Sequence, residues 1–332
     1  HFWPEVTELD PEELYETPFR KADGSMAPVF SSMNEKTVLR HFKWMQDYGI
    51  DGVFVQRFVG ETFNPKSLNH CTTVLSHCRT GANIYGRTYA LMYDLSGLQA
   101  GQMDKVIEDF KRLVDNMKLT RDPNDRAYLH HRGKPVVSVW GIGFNDNRPY
   151  TLDECAKLIN FLKNDPDYGG CTVMIGVPSY WRTLDRDSVQ DQRLHDVIKM
   201  ADIISPWTPG RYNSPESVAE FAKDRWEPDV RWCETNGKDY LPVMFPGFSW
   251  HNMFEKSPFN AIPRLRGRFL WKQYIEARKA GATMIYQAMF DEMDEGTAIF
   301  KCTNNPPVGE SQFLTYEGLP TDYYLRMVGE GG

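Results

Sequence analysis

The stretch Val136-Val137-Ser138-Val139-Trp140-Gly141-Ile142-Gly143-Phe144-Asn145-Asp146-Asn147-Arg148-Pro149 decides the architecture. Its first five residues are mostly β-branched or aromatic and read as a buried strand. Had that strand opened a dinucleotide-binding unit, a turn with three glycines would lead from it directly into a helix. Only Gly141 and Gly143 are present, and Asn145 to Pro149 is loop in character. The strand is therefore read as one stave of a barrel.

Working outward, the same alternation of amphipathic helix, short loop and apolar strand recurs. Asn34 can cap a helix with Val38, Phe42 and Met45 on one face, closed by Gly49 ahead of strand Gly52 to Val55. Strand Tyr89 to Tyr93 precedes a helical stripe of Met103, Val106, Ile107, Phe110, Leu113, Val114 and Met117. Thr151 and Glu154 form a capping box, and strand Cys171 to Val177 follows. A helix over Val189 to Met200 leads to strand Ile203 to Trp207, and Ser214-Pro215 opens another helix. The last strands are expected at Tyr240 to Phe245 and Thr283 to Met289, separated by a helix ending at Gly281. Strands joined by helical crossovers run parallel. The expected fold class is α/β, a (β/α)8 barrel forming a single catalytic domain over residues 1–332. Seven strands are legible. The first barrel strand is expected either in the weak Pro28-Val29-Phe30 stretch or upstream of His1.

Composition narrows the function. With 332 residues, 41% hydrophobic and 25% charged, the chain can bury a full core. A net charge of −7 with scattered Lys and Arg lacks the basic stripe of a nucleic-acid binder. No apolar run reaches the roughly 18 residues of a membrane span. Six cysteines show neither a CxxC pair nor zinc spacing, and Cys155 and Cys171 lie in apolar elements as buried thiols would. His130-His131 lacks a third ligand, so no metal and no cofactor is assigned. The aromatic content is 13%. It suits a core, and equally a cleft that stacks sugar rings.

Barrel enzymes carry their chemistry at the carboxyl ends of the strands. Those ends supply Gln56, Arg57 and Asp94 as candidate hydroxyl-binding groups, with an Arg57–Asp94 ion pair as the structural alternative. Trp140, Trp181, Trp207 and Trp250 fall at or just beyond the ends, and His251 follows Trp250. Directly after the last strand comes Phe290-Asp291-Glu292-Met293-Asp294-Glu295-Gly296-Thr297. Crowded carboxyls raise one another's pKa, so one keeps its proton while its neighbour ionises, as glycosidic cleavage requires. In an extended backbone Glu292 and Asp294 would share a side, and Glu295 joins Glu292 only where the chain turns. A solvated acidic loop and a calcium site are the alternatives, though the spacing is not that of an EF-hand.

The segment from Asp291 to Thr297 resembles the Asn-Glu-Trp-x-Glu-Gly-Thr signature of glycoside hydrolase family 99, the endo-α-mannosidases, and their family 71/99-like relatives. Tyr48 to Val53, Gly133 to Val137, and Pro246-Gly247-Phe248-Ser249-Trp250 match as well, so the likeness spans about Val29 to Thr297. The resemblance implies an α-mannoside-like glycan, oligo- or polysaccharide, as substrate. It also implies retention through a 1,2-anhydro sugar, with Glu292 deprotonating the 2-hydroxyl and Glu295 as general acid, then base. Trp140, Trp207, Trp250, His251 and Asp291 would join Gln56, Arg57 and Asp94 in binding substrate. A periplasmic or extracellular location is suggested by the relatives alone. Two departures bear on specificity: Asp291 replaces the signature's Asn and Met293 its Trp. A catalytically silent carbohydrate-binding barrel and an inverting α-glucanase-like hydrolase are the competing readings.

Overall fold

A computed structural model describes residues 1–254 and 256–332. In chain order the regular elements are α1 (Glu35–Tyr48), β1 (Gly52–Phe58), α2 (Pro65–Tyr85), β2 (Thr88–Asp94), α3 (Met103–Met117), β3 (His130–His131) and β4 (Lys134–Trp140). There follow α4 (Leu152–Asn164), β5 (Thr172–Pro178), α5 (Arg193–Met200), β6 (Ile203–Trp207), α6 (Pro215–Phe221) and α7 (Glu227–Thr235). The chain continues through β7 (Asp239–Tyr240), β8 (Val243–Met244), α8 (Arg268–Ala280), β9 (Tyr286–Gln287) and α9 (Tyr323–Gly331). The expected helix signals operate. Asn34 caps α1 by accepting the Lys36 N–H, and Thr151 with Glu154 closes the box on α4. Gly49 and Gly281 end α1 and α8 in the left-handed conformation.

The chain divides into two compact units. One comprises His1–Asp51, Thr208–Trp226 and Pro242–Gly332, the other Gly52–Trp207 and Glu227–Leu241. In the second unit β1, β2, β4, β5, β6 and β7 lie side by side in that order, and β3 forms a short hairpin on β4. All the pairings along that row are parallel. Every residue of β5 is buried, as its β-branched run requires. The α3 stripe is buried from Met103 to Val114, which accounts for its apolar spacing.

In the first unit β8 and β9 pair in parallel. Phe42, Phe245, Phe269, Tyr316 and Tyr324 are buried in its core. The expected strand at Tyr240 to Phe245 is interrupted at Leu241-Pro242. Proline has no N–H to give a ladder, which is why a single element becomes β7 and β8. The strand expected over Thr283 to Met289 is reduced to Tyr286 and Gln287. Val29 is not in a parallel strand: it exchanges two hydrogen bonds with Tyr15, at 2.8 and 3.0 Å, in an antiparallel bridge. Residues near the amino end run antiparallel to 301–303, with Glu5 N–H bonded to the Lys301 carbonyl and Thr303 N–H to that of Trp3. All six cysteines are free thiols, five of them buried and Cys71 half-buried. Among the described residues no helix is long and apolar enough to cross a membrane.

Candidate active site

The turn after β9 creates the acidic site. The Ala298 N–H bonds the Glu292 carbonyl at 2.8 Å and the Gly296 N–H bonds that of Met293 at 3.2 Å, so the backbone folds back within a few residues. Gly296 takes φ +70°, and a Cβ there would lie 2.9 Å from the Leu314 side chain. This is the departure from extended geometry that Glu295 needs. The Ser249 N–H holds the Glu295 carbonyl at 2.8 Å, tying the turn to the loop after β8.

The carboxyls are sorted by this turn. Asp294 points outward and pairs with the His1 imidazole at 3.1 Å. Glu292 accepts the Asp294 N–H at 3.0 Å and is half-buried, as is Glu295. Burial, with the charge of Glu295 added, pushes the Glu292 carboxyl up to about 7. Burial also raises Glu295, opposed by a hydrogen bond from the Trp250 side chain and reinforced by Asp294. Asp291 is reached by solvent, yet surrounding protein raises it as well. Glu292 is thus about half-protonated near neutrality, and Glu295 is raised alongside it.

Glu292 consequently costs stability. A carboxyl raised in the folded state binds protons that the unfolded chain releases, so its contribution is harmless below its unfolded value, grows as pH rises from there, and is fully unfavourable above about 7. Glu292→Gln should be more stable than wild type at pH 8, by at most about 3 kcal/mol, and indistinguishable near pH 4. Thermal unfolding at the two pH values measures this. Equal differences at both would mean the Glu292 carboxyl is not desolvated.

One residue that organises the turn carries no sequence signal. Arg264, only 3% exposed, donates from Nη2 to the carbonyls of Gly296 and Ala298 at 2.9 and 2.6 Å. Its guanidinium lies 4.3 Å from the Phe2 ring centroid, 4.4 Å from that of Tyr324 and 5.1 Å from that of Tyr316. Arginine next to a proline in a polar loop looks like surface. Only the aromatic cage makes it a buried cation.

Trp250 is exposed and packs on Phe248 and Phe254. His251 is turned to the loop itself: Nδ1 bonds the Ser257 carbonyl at 3.0 Å and the ring meets Phe259 edge-on. Glu292, Glu295, Asp291 and Trp250 are thus brought together in the first unit.

In the second unit, parallel register assigns the faces. Gln56 lies opposite Met92, Asp94 opposite Trp140, Trp140 opposite Gly176, and Pro178 opposite Trp207. Register partners and residues two apart share a face, so Gln56, Asp94, Trp140 and Trp207 line one face at the strand ends. Gln56 donates to Asp94 at 2.6 Å, and Asp94 also accepts the Ser96 N–H at 2.8 Å. The Trp140 and Trp207 rings meet edge-on at 5.5 Å. Gly176 makes room for this: a Cβ there would lie 2.3 Å from Trp140 Cδ1.

Arg57 corrects the expectation. Being one residue along from Gln56, it points to the helical side and forms a two-pronged ion pair with Asp109 of α3 at 2.8 and 2.9 Å. It is 2% exposed and cannot meet substrate, nor does it form the alternative pair with Asp94. Trp181 is also interior, packed against Trp232 at 4.8 Å. A groove of about 940 Å3 lined by Trp271, Ile275, Tyr323 and Met327 contains none of the candidate residues. Volume therefore does not locate the chemistry here.

No protein-family profile matches this chain, and no curated protein matches it. Solved structures do. The GH99 endo-α-mannosidase of Bacteroides thetaiotaomicron aligns with a TM-score of 0.70 at 16% identity, covering 94% of this chain and 82% of that one. A second structure from that organism, in complex with bis-tris propane, gives 0.69 at 16% identity, with 94% and 86% covered. A glycoside hydrolase-like protein gives 0.64 at 12% identity, with 98% and 91% covered. The chain has the (β/α)8-barrel fold of the family 99 glycoside hydrolases.

Proposed function

We propose that the protein is a retaining glycoside hydrolase acting on α-linked, mannoside-like glycans, its whole length serving as one catalytic domain. The observation that carries this reading is the convergence of Glu292 and Glu295: a turn sets two desolvated carboxyls in electrostatic contact beside an indole. Such a pair shares a proton around neutral pH and can supply acid and base together. The shared fold supports carbohydrate cleavage as the activity, and in the second unit Gln56, Trp140 and Trp207 offer a polar group and ring faces of the kind that binds sugars, with Asp94, 3% exposed, positioning Gln56.

The roles follow the resemblance. Glu292 takes the proton of the sugar's 2-hydroxyl, O2 attacks C1, and the bond from C1 to the leaving oxygen breaks as Glu295 protonates that oxygen. In the second step Glu295 takes a proton from water, the water oxygen attacks C1, and O2 leaves with the proton returned by Glu292. Catalysis requires the state in which Glu295 carries the proton and Glu292 is ionised, and with both carboxyls raised the pair retains a proton to place there. A periplasmic or extracellular place of work belongs to the same reading.

Digestion of a panel of α-mannans and α-glucans tests this, with proton NMR of the first-formed anomer. Release of sugar with retained configuration is expected. Inversion would replace the anhydro mechanism, and glycan binding without release would leave a silent carbohydrate-binding barrel.

A further inference from the structure

We propose that loop residues 248–254 and 256–262 form a platform for the departing part of the substrate, with Trp250 and Phe254 binding its sugar rings. This rests on the reading of Glu295 as proton donor. The loop shows an uncommon amount of apolar surface: Trp250, Met253, Phe254 and Phe259 are 38, 46, 51 and 39% exposed. Large side chains clustered in solvent call for an occupant. Phe248, Trp250 and Phe254 succeed one another with ring centroids 5.2 and 5.0 Å apart and planes tilted by 52° and 48°, which makes one continuous aromatic surface.

The surface is held in place before any ligand arrives. Phe248 and Ile262 exchange two backbone bonds of 3.0 Å and close the loop at its base. Met253 and Phe254 both donate their N–H to the Trp250 carbonyl at 2.9 Å, and Ser257 donates to that of Phe254 at 2.8 Å. His251 Nδ1–H donates across the loop to the Ser257 carbonyl, Asn252 Nδ2 donates to the Gln312 carbonyl at 2.8 Å, and the Asn260 N–H bonds Ser249 Oγ at 3.1 Å. Preorganised aromatic rings lose little freedom on binding. The C–H faces of pyranose rings are the chemistry that stacks on such rings while their hydroxyls stay hydrated.

Position selects the departing side. Glu295 delivers its proton to the glycosidic oxygen, and Glu292 serves the ring being attacked. The Ser249 N–H bonds the Glu295 carbonyl at 2.8 Å, so the surface that starts at the next residue, Trp250, and runs toward Phe254 begins beside the proton donor.

The test uses Phe254→Ala, which truncates an exposed side chain and so threatens the fold little. Short α-mannan and α-glucan oligosaccharides are titrated calorimetrically into wild type and variant. Hydrolysis of the same oligosaccharides is compared with that of α-glycosyl fluorides, which carry no leaving sugar. The variant should bind oligosaccharide about tenfold more weakly. Its loss in kcat/KM should also be greater for oligosaccharides than for fluorides. Equal oligosaccharide affinity, or parallel losses on the two substrate types, overturns the platform while leaving the hydrolase reading intact. Phe254-dependent binding without hydrolysis of either substrate overturns the proton-donor reading and, with it, the assignment to the departing side.

Discussion

Glu295→Gln is expected to lower kcat on an α-linked glycan by about 10²–10⁴-fold, the usual worth of a positioned general acid. A sugar leaving group is a strong base, so cleavage without a proton donor is slow. A fluoride leaving group needs much less help, so the same variant should lose far less on an α-glycosyl fluoride. Glu292→Gln should lose a comparable factor, about 10²-fold or more, on both substrates, because in the proposed mechanism this group acts on the sugar's own hydroxyl whatever departs. Wild-type kcat/KM should fall above pH about 7, where the shared proton is lost from a pair whose Glu292 member is pushed up to about 7. Reducing-end release for the glycan and fluoride-ion release for the fluoride measure all of this. Near-wild-type rates in both variants would remove the pair from the mechanism.

Arg264→Met is expected to lose activity well beyond its loss of stability. Among the described residues no carboxylate pairs with the buried guanidinium, which faces two carbonyls through Nη2 and three aromatic rings. Methionine keeps apolar contact with those rings and spares the cost of burying a charge. Against this, the Gly296 carbonyl loses its Arg264 donor, at about 1–3 kcal/mol for an unmet buried acceptor. Unfolding should therefore move by about 1–3 kcal/mol. The turn that sets Glu295 beside Glu292 loosens at the same time, and a misplacement near 1 Å can cost about 10²-fold in rate. Thermal unfolding and kcat on the same preparation give the comparison. Arg264→Lys, which retains one donor for one carbonyl, should recover part of the rate. A variant that loses only stability, with kcat intact, would make Arg264 a core residue and nothing more.

Much of the candidate site was legible because its signals are local. The Asp291 to Thr297 segment follows an apolar run and ends in glycine, so a carboxylate-bearing turn at a strand end could be read from neighbours in the chain. Two things were not. Gln56 and Arg57 look equally good at the end of β1, and only the pairing register, with Asp109 waiting on α3, sends one to each side. Arg264 lies 28 positions before Glu292 and among aromatics from Phe2, Tyr316 and Tyr324, none of which is its sequence neighbour.

By itself the sequence determined the alternation of helices and parallel strands, the caps, the buried stripe of α3 and the position of the paired glutamates. These depend on residues within about a turn of helix of one another, where periodicity and capping act. Tertiary structure alone decided which carboxyls converge, which arginine is structural, where proline splits a strand, and which tryptophans remain open. Those outcomes depend on desolvation and on contacts between distant segments, and burial is a property of the folded surroundings, which no local pattern encodes.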